Sequence, residues 1–155
     1  MTRELCRQYY RDFEADPDIC MDMARFEKYV YSDERADAYY EKQLKERRIF
    51  LAVLLDGRPV GELLLKDVDR EKGECMLSIH LQNDRCKGRG IGTQAERLAL
   101  KYAFYELGMA AVNADAVLKN RRSQHVLEKV GFRPVRQDGI FRFYRCEAAD
   151  FAARA

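Results

Sequence analysis

Linker chemistry is scarce in this chain: it has three prolines (Pro17, Pro59, Pro134) and no Ser- or Gly-rich stretch, internal repeat or low-complexity tract. Nothing therefore marks a domain boundary, and residues 1–155 are expected to form one domain. A chain of roughly 150 residues is near the commonest domain size and buries about 70% of the surface it exposes when unfolded. Metal-binding chemistry is equally thin. Two histidines, His80 and His125, and five cysteines without a C-x-x-C leave no zinc-ligand spacing, so no metal is expected. The odd number of scattered thiols (Cys6, Cys20, Cys75, Cys86, Cys146) suggests packing or surface cysteines in a reducing compartment.

Charge of one sign is also lacking. Lys and Arg total 28 against 26 for Asp and Glu, a net charge of +2, which is far from the basic excess that nucleic-acid binding displays. No apolar run approaches the roughly 18 residues of a membrane-spanning helix, and Met1 to Tyr10 carries charges where a signal peptide has its apolar core. The expectation is a cytoplasmic protein with neither a nucleic acid nor a membrane as partner.

What is present is a string of strand and helix signals. Leu5 to Phe13, rich in aromatics, suggests a first strand. Asp16-Pro17 resembles an N-cap with proline in the first turn of a helix running to about Tyr29, carried by Ile19, Met23, Phe26 and Val30. Ser32, followed by Asp33 and Glu34, opens a second helix ending near Arg48, with Lys45, Arg47 and Arg48 suiting its C-terminal dipole. Ile49 to Leu55, Val60 to Val68 and Glu74 to Leu81 then form a hairpin-linked antiparallel meander.

A helix is expected from Thr93 to Leu107, with Ala95, Leu98, Ala99, Tyr102 and Ala103 on its apolar face and Gly108 beyond its end. It leads into a strand from Met109 to Leu118, and a helix between two strands favours parallel pairing. Asn120 caps a further helix that Gly131 ends, and Phe132 to Arg136 and Ile140 to Cys146 form a closing hairpin. The fold class is α+β: a mixed, mostly antiparallel sheet of six to seven strands flanked by about four helices.

The chemistry concentrates in Lys87-Gly88-Arg89-Gly90-Ile91-Gly92-Thr93, between a strand and an amphipathic helix. Glycines let backbone N–H groups approach a ligand, and a helix N-terminus adds positive field, which together make an anion site suited to phosphate. The run lacks the G-x-x-x-x-G-K-[ST] of a Walker A loop. It also departs from the G-x-G-x-x-G dinucleotide fingerprint, so both nucleotide sites are disfavoured.

This segment resembles the coenzyme A loop, [QR]-x-x-G-x-[GA], of the GCN5-related N-acetyltransferase (GNAT) family, with Lys87 in place of Gln or Arg. Asn120-Arg121-Arg122-Ser123 and Leu127-Glu128-Lys129-Val130-Gly131-Phe132 are similar to the family's N-x-x-[AS] … G-F signature. Thr93-Gln94-Ala95-Glu96, with the stretch ending at Phe132, looks most like the branch of ribosomal-protein N-terminal acetyltransferases. The likeness runs from Ile49 to Cys146 by order of elements, whereas Met1 to Arg48 matches in general layout.

The resemblance implies an acetyl-coenzyme A-dependent transferase moving an acetyl group to a primary amine of a protein N-terminus, a polyamine or a small molecule. Direct attack in a ternary complex is the implied route. The backbone of His80, Leu81 and Gln82 would pair with the pantetheine arm, Gly88 to Thr93 would hold the pyrophosphate, and Asn120 and Ser123 would flank the thioester. Lys87 and Arg89 belong to the same cofactor loop. A strand amide would serve as oxyanion donor, an arrangement that can be worth about 3 kcal/mol.

Such a reaction needs a neutral amine and a proton for the departing thiolate. Asp115, five residues before Asn120, is the first candidate to accept the amine proton, ahead of His80 and then Glu62. Leu127 stands where many relatives carry a tyrosine acid, leaving Ser123 as a proton relay, with water or Tyr144 as substitutes. Lys119, Arg121 and Arg122 could reach the ribose 3′-phosphate or form a solvated helix face, and His125 is expected at the surface. Tyr9, Tyr10, Phe13, Tyr29, Tyr31, Tyr39 and Tyr40 are expected mainly to pack. The alternatives are a coenzyme A-binding module without catalysis and a plain interaction domain in which the glycine loop is an ordinary turn. A homodimer is a further possibility.

Overall fold

The computed structural model describes residues 1–154. Its frame is a six-stranded sheet in the order β1-β2-β3-β4-β6-β5, with β1 Ile49–Leu55, β2 Arg58–Asp69, β3 Glu74–Leu81, β4 Ala111–Val117, β5 Arg133–Gln137 and β6 Phe141–Glu147. Every neighbouring pair is antiparallel except β3 and β4, which the intervening helix brings together in parallel. Asp56 and Gly57 close the first hairpin at φ 50° and 76°, the two positive values that match the twist of paired strands.

Strand β2 is buried on both faces and so divides the core. Leu63 and Leu65 join the larger cluster under α3 (Ile91–Lys101) and α4 (Arg121–Val130), while Leu64 joins Phe50 under α1 (Arg3–Arg11) and α2 (Asp33–Lys45). Side chains alternate along a strand, so Glu62 shares the α1/α2 face with Leu64. His80, its register partner on β3, lies on that face too. Burying one leucine such as the fully covered Leu65 stabilises by roughly 1.5–3 kcal/mol, which makes this strand the anchor of both layers.

Several local expectations change. Leu5 to Phe13 is not a strand: Thr2 caps α1 by accepting from the Leu5 amide, and Cys6, Tyr9 and Tyr10 recur at helical spacing to build the smaller core. The segment after Asp16 forms two 3-10 turns, Pro17–Ile19 and Met23–Arg25, rather than a helix. Asp16 and Asp22 each bond an amide two residues ahead, at 2.8 and 3.0 Å, and such local bonds compete with helix propagation. Of the residues meant to form its apolar stripe, Met23 and Val30 are exposed, and Ile19 and Phe26 are only half-buried.

The helix expected from Thr93 starts at Ile91 and widens into a π-turn over Tyr102–Glu106 before Gly108. A short α5 (Ala148–Ala152) follows the final strand and buries Phe151. The four buried cysteines and the half-buried Cys20 are all free thiols. No helix among the described residues is long and apolar enough to cross a membrane.

The feature that creates a site is the brevity of the β3–β4 pairing. Only Glu74, Cys75 and Met76 pair, with Ala111, Val112 and Asn113, although β3 continues to Leu81 and β4 to Val117. Beyond Met76 the two strands diverge and the sheet opens.

Candidate active site

The end of β3 leads through a 3-10 turn, Asp84–Cys86, into the glycine run. Gly88 and Gly90 take φ 71° and 77°, left-handed values that cost a residue with a Cβ about 1–2 kcal/mol. A Cβ at either position would meet nothing within 4 Å, so the conformation, not crowding, requires glycine there. Gly90 is the N-cap of α3 and offers no side-chain cap, and the first bond of the helix runs from the Gln94 amide to the Gly90 carbonyl. The amides of Ile91, Gly92 and Thr93 therefore keep their donors for a ligand, in the positive field of a helix start.

This turn forms one wall of a cleft of about 410 Å³, which adjoins a second, equally open cavity of about 240 Å³ at the strand divergence, the inner chamber, with the exposed Met21 at its rim. Ile19, Ile79, His80, Glu96, Asn120 and Ser123 line both cavities and mark their junction. Through the opening, the two faces of the sheet communicate. Leu77, Ala114 and Ala116 belong to the core on the α3/α4 face, so by alternation His80 and Asp115 reach the opening from the α1/α2 face.

On the α1/α2 face, His80 Nδ1 lies 3.5 Å from Oε1 of Glu62, a carboxylate 3% exposed. Tyr39 and Tyr10 each donate a 3.0 Å hydrogen bond to the two oxygens of that carboxylate. Both tyrosines sit in an aromatic cluster with Phe13 and Tyr29, and burial pushes their phenols far above the ordinary range, keeping them donors. Asp115 is half-buried in the inner chamber. Desolvation raises its carboxyl against a weaker lowering by Lys66, and no hydrogen bond ties it to His80.

On the α3/α4 face, the Asn120 side chain accepts from the Ser123 amide at 3.1 Å, capping α4 and fixing both residues at the junction. Leu127 closes the inner chamber. Glu96 enters from α3, 2% exposed, with Oε2 lacking a hydrogen-bond partner among the described residues and its carboxyl pushed up to about 8 by desolvation.

The structure brings most of the expected residues to one place. His80, Leu81, Lys87, Gly88, Gly90, Ile91, Gly92, Thr93, Asn120 and Ser123 line the outer cleft, and Asp115 the inner chamber. Backbone alternation redistributes the β3 roles. Gln82 donates its amide to the Val60 carbonyl at 2.9 Å, so His80, two residues earlier, also points its backbone at β2. The backbone groups of Ile79 and Leu81 are the ones that face the opening. Gln82 is wholly occupied: its carbonyl accepts from the Glu14 amide and its side chain donates to the Tyr9 carbonyl at 2.8 Å, locking α1 to the sheet.

Other candidates take structural duties. Lys87 holds Asp84 at 2.9 Å and also Asp16, tying the α1–α2 connection to the glycine turn; Arg89 is exposed and lines neither cavity. Tyr144 is buried with its hydroxyl donated to Glu128 at 3.2 Å, away from both cavities. Of the basic cluster, Arg122 reaches the outer cleft, as does the exposed His125, while Lys119 and Arg121 line neither cavity.

Glu96 is the residue that sequence reasoning missed. The expected apolar stripe on α3 included Leu98 and Tyr102, yet these are 66% and 37% exposed, and the buried stripe is Ala95, Glu96, Ala99, Leu100 and Ala103. The signal was the i, i+3, i+4, i+7 pattern of residues 96, 99, 100 and 103, in which the one charged member breaks an otherwise apolar row.

Comparison with known proteins agrees with this architecture. Residues 1–133 match the family profile described as the acetyltransferase (GNAT) domain. YjcK of Bacillus subtilis (strain 168), named as an N-acetyltransferase, is 30% identical over 110 residues, which are 70% of this chain but 59% of that protein. YdaF of the same organism, named as a ribosomal N-acetyltransferase, is 28% identical over 125 residues, covering 74% of this chain and 68% of its own. Among solved structures, an acetyltransferase from T. thermophilus superposes with a TM-score of 0.78 at 21% identity, over 99% of this chain and 86% of its own. The dodecameric spermidine N-acetyltransferase of Vibrio cholerae gives 0.74 at 15% identity, over 100% and 95%. These structural likenesses bear on the fold alone, whereas the profile spans the glycine turn, the divergent strands and α4. The chain belongs to the GNAT acetyltransferase family.

Proposed function

We propose that this protein transfers an acetyl group from acetyl-coenzyme A to a primary amine by direct attack in a ternary complex. The observation that carries this is the divergence of β3 from β4 beside an uncapped glycine turn, which makes one continuous path from a phosphate site to the junction of the two cavities. The residues present fit the co-substrate: free amides at residues 91–93 suit the pyrophosphate, and the backbone of Leu81 and Ile79 suits the amide groups of the pantetheine arm.

When bound, the co-substrate supplies an activated acyl group at the junction. His80 is then positioned to take the amine proton from the α1/α2 face, with Glu62 orienting its imidazole. Asp115 borders the same chamber and can hold the incoming amine by charge. Asn120 and Ser123 hold the thioester end from the opposite face. The amine class we assign includes protein N-termini, polyamines and small-molecule amines, in a cytoplasmic protein whose residues 1–155 act as one domain, and a homodimer is the assembly we propose.

Isothermal titration with acetyl-coenzyme A, with ATP and NAD as controls, tests the cleft. Saturable binding of the first alone supports the assignment, and absence of binding overturns it. A thiol-release assay across an amine panel then separates a transferase from a binding module without turnover, the second reading, which Leu127 in the inner chamber favours.

A further inference from the structure

The junction of the two cavities holds three side chains with a hydroxyl, carboxyl or imidazole proton: Ser123, Glu96 and His80. His80 stands on the α1/α2 face and is paired with Glu62, the arrangement of a proton acceptor. Ser123 is a far weaker acid than a thiol. Glu96 differs from both. It arrives on a rigid helix from the α3/α4 face, its side chain borders both cavities, it is 2% exposed, and its buried Oε2 has no hydrogen-bond partner among the described residues. A buried carboxyl in an apolar stripe lowers stability, so its place here is explained by what it does to a ligand.

We propose that Glu96 hands its carboxyl proton to the sulfur of departing coenzyme A. The role rests on the acetyl-transfer reading above. As the amine nitrogen bonds to the thioester carbon and the carbonyl reforms, the carbon–sulfur bond breaks and its electron pair goes to sulfur, which takes the Glu96 proton. The proton lost by the amine passes to His80 and on to solvent, and water entering the inner chamber restores the Glu96 acid. The products are an amide and a thiol.

The chemistry suits the location. Burial holds the carboxyl protonated up to about pH 8, close to the roughly 8.5 of a free thiol, and proton transfer between matched groups is efficient. His80 of β3 and Asp115 of β4 share the inner chamber with Glu96. Arg122, His125 and Lys129 of α4 face the outer cleft, as do Glu14, Asp16 and Asp18 of the α1–α2 connection and Lys87 before α3. Against these neighbours, desolvation is what raises the Glu96 carboxyl.

The test compares the wild-type chain with Glu96→Gln, which keeps the shape and removes the transferable proton. With saturating acetyl-coenzyme A and an amine acceptor, kcat is expected to fall by about 10²-fold, with KM for acetyl-coenzyme A changed by no more than about threefold. The wild-type kcat profile should descend above about pH 8, and the variant should lack that limb. Equal kcat in the two proteins leaves the transfer reading standing and removes Glu96 from it. Infrared difference spectra of wild type carrying labelled glutamate carboxyls supply a readout independent of turnover. A protonated carboxyl band at pH 7, shifted by acetyl-coenzyme A, is expected. A missing band, or one indifferent to the ligand, overturns the proposal even where the variant does not fold. Failure of wild type to bind acetyl-coenzyme A overturns this role and the acetyl-transfer reading together, and binding without turnover by wild type overturns the proton-donor role.

Discussion

Glu62 of β2 stands directly across the ladder from His80 of β3, with its Oε1 3.5 Å from the imidazole Nδ1. The pairing follows from register, since both residues lie on the α1/α2 face, and Tyr10 and Tyr39 fix the carboxylate from above. If the pair abstracts the amine proton, His80→Gln should lower kcat by about 10²–10⁴-fold, and Glu62→Gln should lower it by less, because the imidazole remains. Glu62→Gln should also cost about 1–3 kcal/mol of stability by weakening two buried tyrosine hydrogen bonds. Steady-state kinetics and urea unfolding of the two variants check both expectations.

Gly90→Ala places a Cβ on a residue at φ 77°, at the N-cap of α3. The strain of about 1–2 kcal/mol should be relieved by turning the first amides of α3, and acetyl-coenzyme A affinity should drop at least about tenfold. Gly57→Ala is the control, since Gly57 has nearly the same angle, 76°, in the β1–β2 turn. It should lose similar stability and keep its affinity. Calorimetric titration of both variants distinguishes a ligand-binding turn from a merely tight one.

Glu96 sets a pH dependence of stability. An unfolded glutamate ionises near about 4.3, whereas the native carboxyl stays neutral to about 8. Between these values the unfolded state binds fewer protons, so stability falls as pH rises and levels off above the native value. At pH 7 the penalty is on the order of 3 kcal/mol. Glu96→Leu should therefore raise Tm by about 6–12 °C at neutral pH and leave it nearly unchanged at pH 4, while losing activity. Thermal melts across that range give the answer.

Lys87 acts as a tie between Asp16 and Asp84, with its side chain 17% exposed. Lys87→Met should destabilise by about 2 kcal/mol by leaving Asp16 partly buried without its cation. Acetyl-coenzyme A affinity should change by less than about tenfold, because the ammonium is already engaged. Burial alone would raise the Asp16 carboxyl, but the Lys87 and Asp18 hydrogen bonds outweigh it and hold the carboxyl below the ordinary range. Its contribution is thus present above about pH 3.9 and lost as pH falls through the native value. Melts of the variant at pH 7 and pH 3 should differ less than those of wild type.

The legible part of this protein is the part whose signals are local. The turn signal Asp56-Gly57-Arg58-Pro59 marks the first hairpin, which the structure tightens to Asp56 and Gly57, Asn120 and Gly131 bracket α4 as cap and stop, and the runs between Ile49 and Leu81 form three strands in register. The glycine turn was readable because left-handed backbone and an uncapped helix start leave a mark on residue type. The first helix was obscured because Tyr9, Tyr10 and Phe13 suit a strand as well as a helix in isolation. The segment from Asp16 to Val30 carries helical spacing but leaves Met23 and Val30 in solvent, and local aspartate bonds prevail over helix propagation.

The residue order was enough to imply an α+β chain with a phosphate-binding turn between a strand and a helix, because caps, turns and strand periodicity act over a few residues. The assembly of the site was not contained there. Glu62 and His80 are eighteen positions apart, and Glu96 and Asp115 meet His80 only where β3 and β4 part after Met76. Which face each side chain takes depends on register between distant strands, and the elevated acidity limit of Glu96 depends on the water that the packed α3, α4 and sheet exclude. Long-range packing and desolvation, neither of which is written in any short stretch of residues, convert a buried glutamate and a strand histidine into opposite walls of one chamber.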